Sequence, residues 1–203
     1  MSYEMLSATR LRPSIIAAIF VVMTLLLASA VHANPGGKTE QAWAALARGD
    51  AVLILRHALA PGTGDPPEFT LGDCSTQRNL NETGREQARA WRPFLAEKGI
   101  TDANVYTSQW CRARDTAREI GLGEVTDMPS LNSFFRGRGN REQQTRETIR
   151  QVNGLEAHSA IILVSHQVNI TALSGVYPAS NEGVILALPL SDSPAVLARV
   201  APP

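Results

Sequence analysis

The chain carries no surplus of either charge: its 203 residues hold 19 Lys and Arg against 19 Asp and Glu. Proteins that gather nucleic-acid backbones display a basic field. Nucleic acid is therefore not an expected partner, and any anion site must be built locally. Long apolar runs are equally scarce. One runs from Ile15 to about Ala28, broken only by Thr24, and no later segment is apolar enough to span a bilayer. No internal repeat and no low-complexity segment follows it. Cysteine is limited to Cys74 and Cys111.

The one apolar run has a specific setting. Arg10 and Arg12 precede it, and Val31-His32-Ala33 follows it ahead of Asn34-Pro35. A positive start, an apolar stretch and small residues before a cleavage point describe a secretory signal peptide, here residues 1–33. The run falls short of the roughly 20 residues that a membrane span needs. Cleavage removes Arg10, Arg12 and Glu4, which leaves residues 34–203 with a net charge of −1. That length suits a single domain with a sizeable core. Export leads to an oxidising compartment, most simply a periplasm, and the even cysteine count then predicts one disulfide between Cys74 and Cys111.

Beyond the expected signal, apolar strands alternate with amphipathic helices. Residues 40–48 read as a short helix with Trp43, Leu46 and Ala47 on one stripe, ended by Gly49-Asp50. Residues 51–55, Ala-Val-Leu-Ile-Leu, form a continuous apolar run of the kind found in strands buried on both faces. Residues 60–79 make a long loop rich in Pro, Gly, Asp and Thr, and loops of that length are often functional. A helix follows, with capping-box spacing between Thr83 and Glu86; Ala88, Trp91 and Leu95 lie on one face, and Gly99 closes it. A strand at 105–108, a helix at 111–120 and a short strand near 125 come next. Residues 133–140 form a Gly- and Arg-rich loop. A polar helix at 141–152, a second buried strand at 160–164, a helix at 167–173 and two closing strands at 183–188 and 195–200 complete the chain. The alternation predicts a three-layer α/β/α sandwich with a mainly parallel central sheet. Ligands in such sheets bind beyond the carboxyl ends of the strands.

Both of the best strands end in histidine at that edge. Arg56-His57 follows the first without a spacer, and Ser165-His166 closes the second. A charged pair at the end of an apolar strand is costly without a ligand or partner. Guanidinium offers a fixed fork of donors to phosphate oxygens, and a neutral imidazole can attack phosphorus and hold the phosphoryl group covalently. Arg112, near the start of the 111–120 helix, would project over the same edge, where helix-start amides also favour an anion. No acidic residue adjoins either histidine and Arg56 repels cations, so neither a metal nor another cofactor is expected.

Four segments carry a family resemblance. Leu55-Arg56-His57-Ala58 resembles an apolar strand followed by Arg-His-Gly. Leu80 to Ala88 resembles a Leu-x-x-x-Gly-x-x-Gln-Ala helix. Thr107 to Ala117 resembles Ser-Ser-Pro-x-x-Arg-Ala-x-x-Thr-Ala, with Gln109 for the proline. Val164-Ser165-His166-Gln167 resembles a strand ending Val-Ser-His-Gly. In this order, over residues 51–175, they are similar to the histidine phosphatase superfamily, whose fold is phosphoglycerate-mutase-like. The resemblance implies that His57 is the nucleophile and that Arg56, Arg112 and His166 bind the phosphoryl group and stabilise its transition-state charge, without a metal. The long loop resembles that of a small exported branch, where Arg78 or Asn79 would touch substrate.

The chain departs from the pattern at Ala58, a mild change, and at Gln167, which would narrow the pocket and so contact substrate. The largest departure is the region Leu131-Asn132-Ser133-Phe134-Phe135, which lacks the glutamate that protonates the leaving oxygen in many relatives. A general acid contributes roughly 10²–10⁴-fold. Glu68, Asp65, Asp73 and Glu82 are the candidate substitutes. Arg136 and Arg138 are read as solvated loop residues, and His158 as a bland one in a polar turn. The expected activity is an exported phosphomonoesterase acting on a small-molecule or envelope-glycan phosphate. The competing readings are a catalytically weak phosphate- or phosphoglycan-binding relative and a phosphomutase.

Overall fold

The apolar run at residues 51–55 pairs on both sides, and this sets the architecture. The structure, a computed structural model, describes residues 35–156 and 159–203. The expected signal peptide and His158 lie outside those residues. Strand β1 (Ala51–Arg56) runs parallel to β4 (Ala160–Ser165), with Leu55 opposite Val164 and Arg56 opposite Ser165. Strand β2 (Ala103–Thr107) lies parallel to β4 on its other side, and β3 (Val125–Asp127) parallel to β2. Strand β5 (Gly183–Ala187) pairs antiparallel with β1, and β6 (Val196–Val200) antiparallel with β5. The sheet order is β3-β2-β4-β1-β5-β6. Only β5 runs against the rest, so its first residue lies beside the last residues of β1, with Gly183 opposite Leu55.

Alternate residues of the central strands feed two cores. Leu53, Leu55, Ile162, Val164 and Ile185 pack with Trp43 and Leu46 of α1 (Pro35–Arg48), Trp91 and Leu95 of α3 (Trp91–Glu97), and Ala113, Ala117 and Ile120 of α4 (Cys111–Ile120). Val52, Ile54, Ile161, Leu163, Val184 and Leu186 pack on the opposite face with Val152 of α5 (Arg141–Asn153) and Ile170 and Leu173 of α6 (Gln167–Ser174). The architecture is the expected three-layer α/β/α sandwich with a mainly parallel sheet. Residues Pro35–Pro203 cluster as one compact unit. Among the described residues no helix is long and apolar enough to cross a membrane.

Three local expectations change. The first helix begins at Pro35 instead of Glu40; a proline at the first helical position forfeits no hydrogen bond. The long helix after residue 80 divides at Ala90 into α2 (Glu82–Arg89) and α3. The division leaves Pro93 in the first turn of α3, where its missing N–H is not needed. The cap of α2 is Asn81 and not Thr83: the Asn81 side chain accepts from the Gly84 N–H at 2.8 Å, which a residue inside the helix does not do.

Candidate active site

The carboxyl ends of β1 and β4 bring Arg56, His57 and His166 to one edge of the sheet. The His57 amide donates to the Ser165 carbonyl at 2.9 Å, which ties the two strand ends together. Both histidines are buried, and their rings meet edge-on with centroids 5.4 Å apart. Arg112, in the first turn of α4, is buried as well. These side chains open on a cavity of about 210 Å³ that Arg78, Gln167, Phe135 and Tyr177 also line.

The protons on the His57 ring can be assigned. Nδ1 lies 2.8 Å from the Ala58 carbonyl oxygen, which can only accept, so Nδ1 is the protonated nitrogen and Nε2 holds the lone pair. The Arg112 Nε–H donates to that lone pair at 3.2 Å. Burial, and next the charge of Arg112, hold the His57 imidazolium well below the usual histidine range. The ring is neutral at neutral pH.

His166 is fixed by a chain of bonds. Asn132 Oδ1 accepts from the Gln109 N–H at 2.8 Å and from the Ser108 hydroxyl at 3.2 Å. Ser108 Oγ therefore accepts from His166 Nε2, 2.8 Å away. His166 Nδ1 is buried with no partner among the described residues, and so is Arg56 Nε. Arg56 Nη1 donates to the Pro178 carbonyl at 3.0 Å. Burial, followed by the charge of Arg112, holds His166 well below its ordinary value too.

Asp65, one of the four acids the sequence offers as a substitute proton donor, is committed to Arg112. Its carboxylate takes the Arg112 fork, with Nη1 to Oδ1 at 2.6 Å and Nη2 to Oδ2 at 3.2 Å. It also accepts from Trp110 Nε1 at 3.0 Å and from the Arg78 amide at 3.3 Å. Burial pushes the Asp65 carboxyl up, but the Arg112 hydrogen bond and charge outweigh it and leave the group below the usual carboxylate range. An ionised carboxylate locked to a guanidinium is a poor proton donor. The other three candidate acids lie elsewhere. Asp73 accepts from the Ser75 amide and hydroxyl, Glu82 pairs with Arg89, and Glu68 is exposed. None of the four lines the cavity.

Arg78 lines the cavity, held by Nε to the Gly64 carbonyl at 2.8 Å and by Nη1 to the Ala60 carbonyl. Burial, then repulsion from Arg112, lowers its guanidinium to about 10, so it stays cationic. Gln167 also lines the cavity, whereas Asn79 does not: its side-chain amide donates to the Cys74 and Gln77 carbonyls and braces the loop. The expected Cys74–Cys111 disulfide is present. It binds this loop to the first residue of the helix that carries Arg112, and Gln77 Oε1 accepts from the Cys111 amide beside it at 3.0 Å. Arg138 is exposed, stacks on Phe69 and donates to the Pro66 carbonyl. Arg136 lies against Gly64. Tyr177 and Phe135 carry no signal in the sequence as pocket residues, because both lie in irregular stretches without periodicity.

Residues 52–156 match the model of the histidine phosphatase superfamily, branch 1. Among solved structures, the protein histidine phosphatase SixA complexed with tungstate is similar at 17% identity and a TM-score of 0.53, over 75% of this chain and 97% of that one. Phosphoserine phosphatase from Entamoeba histolytica, complexed with 3-phosphoglyceric acid, gives 15% and 0.53, over 74% and 96%. Mycobacterial hydrolase 1 gives 16% and 0.56, over 76% and 99%. At these identities the likeness concerns the fold alone. The family match spans the strand that ends in Arg56-His57 and the helix that carries Arg112, and by it the chain belongs to branch 1 of the histidine phosphatase superfamily.

Proposed function

We propose that the protein is an exported phosphatase that hydrolyses a phosphomonoester through a phosphohistidine on His57, without a metal. The observation that carries this reading is a neutral, buried imidazole that lines a cavity and keeps its lone pair on Nε2 under Arg112, beside two buried polar atoms without partners among the described residues, Arg56 Nε and His166 Nδ1. Leaving a buried polar group unpaired costs about 1–3 kcal/mol; a phosphoryl oxygen would accept from Arg56 Nε–H, and the hydroxyl of a monoanionic phosphoryl group would donate to His166 Nδ1.

In this reading a phosphoryl oxygen takes the Arg112 Nε–H and so uncovers His57 Nε2. The Nε2–P bond forms as the ester P–O bond breaks, and the Nδ1–H bond to Ala58 keeps the attacking ring oriented throughout. Arg56, Arg112 and Arg78 stabilise the charge on the equatorial oxygens, and His166 does so once Nδ1 has taken up the phosphoryl proton. Water then attacks phosphorus, and the electron pair of the N–P bond returns to Nε2. Family members also include mutases; what favours hydrolysis is that the expected export would place the chain away from the sugar phosphates a mutase exchanges. The disulfide suits an oxidising compartment, and a small-molecule phosphomonoester is the proposed substrate.

The test is turnover of p-nitrophenyl phosphate beside a His57→Ala variant, with a chelator present. Turnover that persists with the chelator and disappears in the variant is expected. Equal turnover in both proteins would sink the reading, and binding of phosphate without turnover in either would favour the phosphate-binding alternative. Amino-terminal sequencing of the exported protein is expected to begin at Asn34.

A further inference from the structure

Among the described residues five large apolar side chains are exposed: Leu71, Phe135, Tyr177, Val196 and Leu197. Two of them, Phe135 and Tyr177, lie on the rim of the same cavity. Exposed apolar groups gathered at a concave site mark a ligand contact more often than scattered ones do. Tyr177 is 67% exposed, yet the backbone of residues 177–179 is pinned at each residue. Arg56 donates to the Pro178 carbonyl, Arg199 Nη2 donates to the Tyr177 carbonyl at 3.3 Å, and the Ala179 amide donates to the Glu182 carboxylate at 2.6 Å. Phe135 is set by its own amide, which donates to Ser133 Oγ at 3.3 Å. Both rings are therefore presented by braced backbone.

The lining has a second property. It contains four guanidinium or imidazole groups of the phosphoryl site and Arg78, but among the described residues no Asp or Glu. Asp65, which pairs with the lining residue Arg112, is committed to that guanidinium. The cavity thus offers charge stabilisation to the phosphoryl oxygens and no carboxylic acid to the departing oxygen. A leaving group that is expelled as a stable anion does not need one.

We infer that the substrate class of this site is the aryl phosphates: Phe135 and Tyr177 hold the ring of a phenolic leaving group that departs as phenolate. The inference rests on the phosphohistidine reading above. Its step balances without another reactant. The Nε2–P bond forms, the P–O bond breaks with its electron pair on the aryl oxygen, and the phenolate takes a proton from solvent. Hydrolysis of the phosphohistidine returns that proton to solvent from water.

The experiment compares kcat/KM over substituted phenyl phosphates of graded leaving-group pKa, with glycerol and hexose phosphates as the alkyl arm, for the parent protein, Phe135→Ala and Tyr177→Ala. We expect a steep fall with rising leaving-group pKa and a drop of about 10²-fold or more from phenyl to alkyl esters, the size of a missing general acid. Each variant is expected to raise KM for phenyl phosphates by about 2- to 10-fold and to leave the inhibition constant of inorganic phosphate in place. Alkyl esters turned over within about threefold of phenyl phosphate, against the missing acid's expected factor, would overturn the assignment while leaving the phosphatase reading intact. Variants that leave KM unmoved would overturn the role of the two rings. No turnover of any ester, with no phosphate on His57, would remove both readings together.

Discussion

Arg112 covers the lone pair of His57: its Nε–H lies 3.2 Å from Nε2, and both remaining guanidinium nitrogens are held by Asp65. Under the proposed mechanism the attacking lone pair is therefore masked and aligned by the same group that would bind the incoming phosphoryl oxygen. A lysine at this position offers a point charge without the fork. Arg112→Lys is expected to lower kcat for p-nitrophenyl phosphate by about 10²–10³-fold, the scale of losing one transition-state donor. A steady-state comparison with the parent protein checks it.

The Asp65–Arg112 pair is buried on both sides, with side-chain exposures of 4% and 3%. Removing the carboxylate strands a guanidinium in the interior. Asp65→Asn is expected to destabilise the fold by about 3–5 kcal/mol, read from urea denaturation. The double variant Asp65→Asn/Arg112→Met is expected to lose less than the sum of its two single changes, because it removes the stranded charge. Additive losses would show that the pair is not energetically coupled.

Stability should fall in acid through two separate windows. His57 and His166 are held below the ordinary histidine value of 6.5, so the unfolded chain binds protons that the folded one refuses. Their contribution is complete above pH 6.5 and is lost as pH falls below it. Asp65 is held below 3.8, so its contribution is lost only at lower pH, through its depressed folded value. The urea midpoint of the parent protein is expected to drop on going below pH 6.5, and His57→Ala and His166→Ala are expected to flatten that drop without changing the second one.

Gly84 is the point where α2 meets the chain just past His57. A Cβ there would stand 2.1 Å from the Leu59 carbonyl oxygen, and backbone cannot yield as a side-chain tip can. Gly84→Ala is expected to cost about 1–3 kcal/mol, the range for overpacking, and to slow turnover as well, since the displaced segment begins two residues after His57. Thermal melts and kcat measured on the same preparation test both halves.

Cleaving the Cys74–Cys111 bridge should reach the site through Arg112, the next residue. A variant with serine at both positions is expected to lose about 2–4 kcal/mol of stability and to bind phosphate more weakly. A preserved phosphate affinity would show that Gln77 and Asp65 suffice to hold the loop.

What could be read from the sequence follows from local physical signals. The apolar runs that end at Arg56-His57 and Ser165-His166 declare strands buried on both faces and mark the edge where they stop. Gly99, read as a helix stop, takes the left-handed conformation, as a helix-end glycine does. Asp65 was visible as an acid in a long loop, but its commitment to Arg112, 47 residues away, is a tertiary fact that no local pattern encodes. Asn79 looked like a substrate contact for the converse reason: a polar residue in a functional loop can serve the loop itself. Tyr177 had no signal, because its importance depends on the direction of the strand that follows it.

That strand is the one that runs against the others. By beginning where β1 and β4 end, β5 delivers the segment before it, residues 176–182, to the same edge. The groups proposed to act on phosphorus thus belong to the ends of parallel strands and the start of α4, while one wall proposed to face the rest of the substrate belongs to a connection of its own. In this reading chemistry and choice of substrate are inherited on different stretches of chain. A lineage, or an engineer, can rewrite residues 176–180 to admit a new leaving group and keep intact the apparatus that breaks the bond.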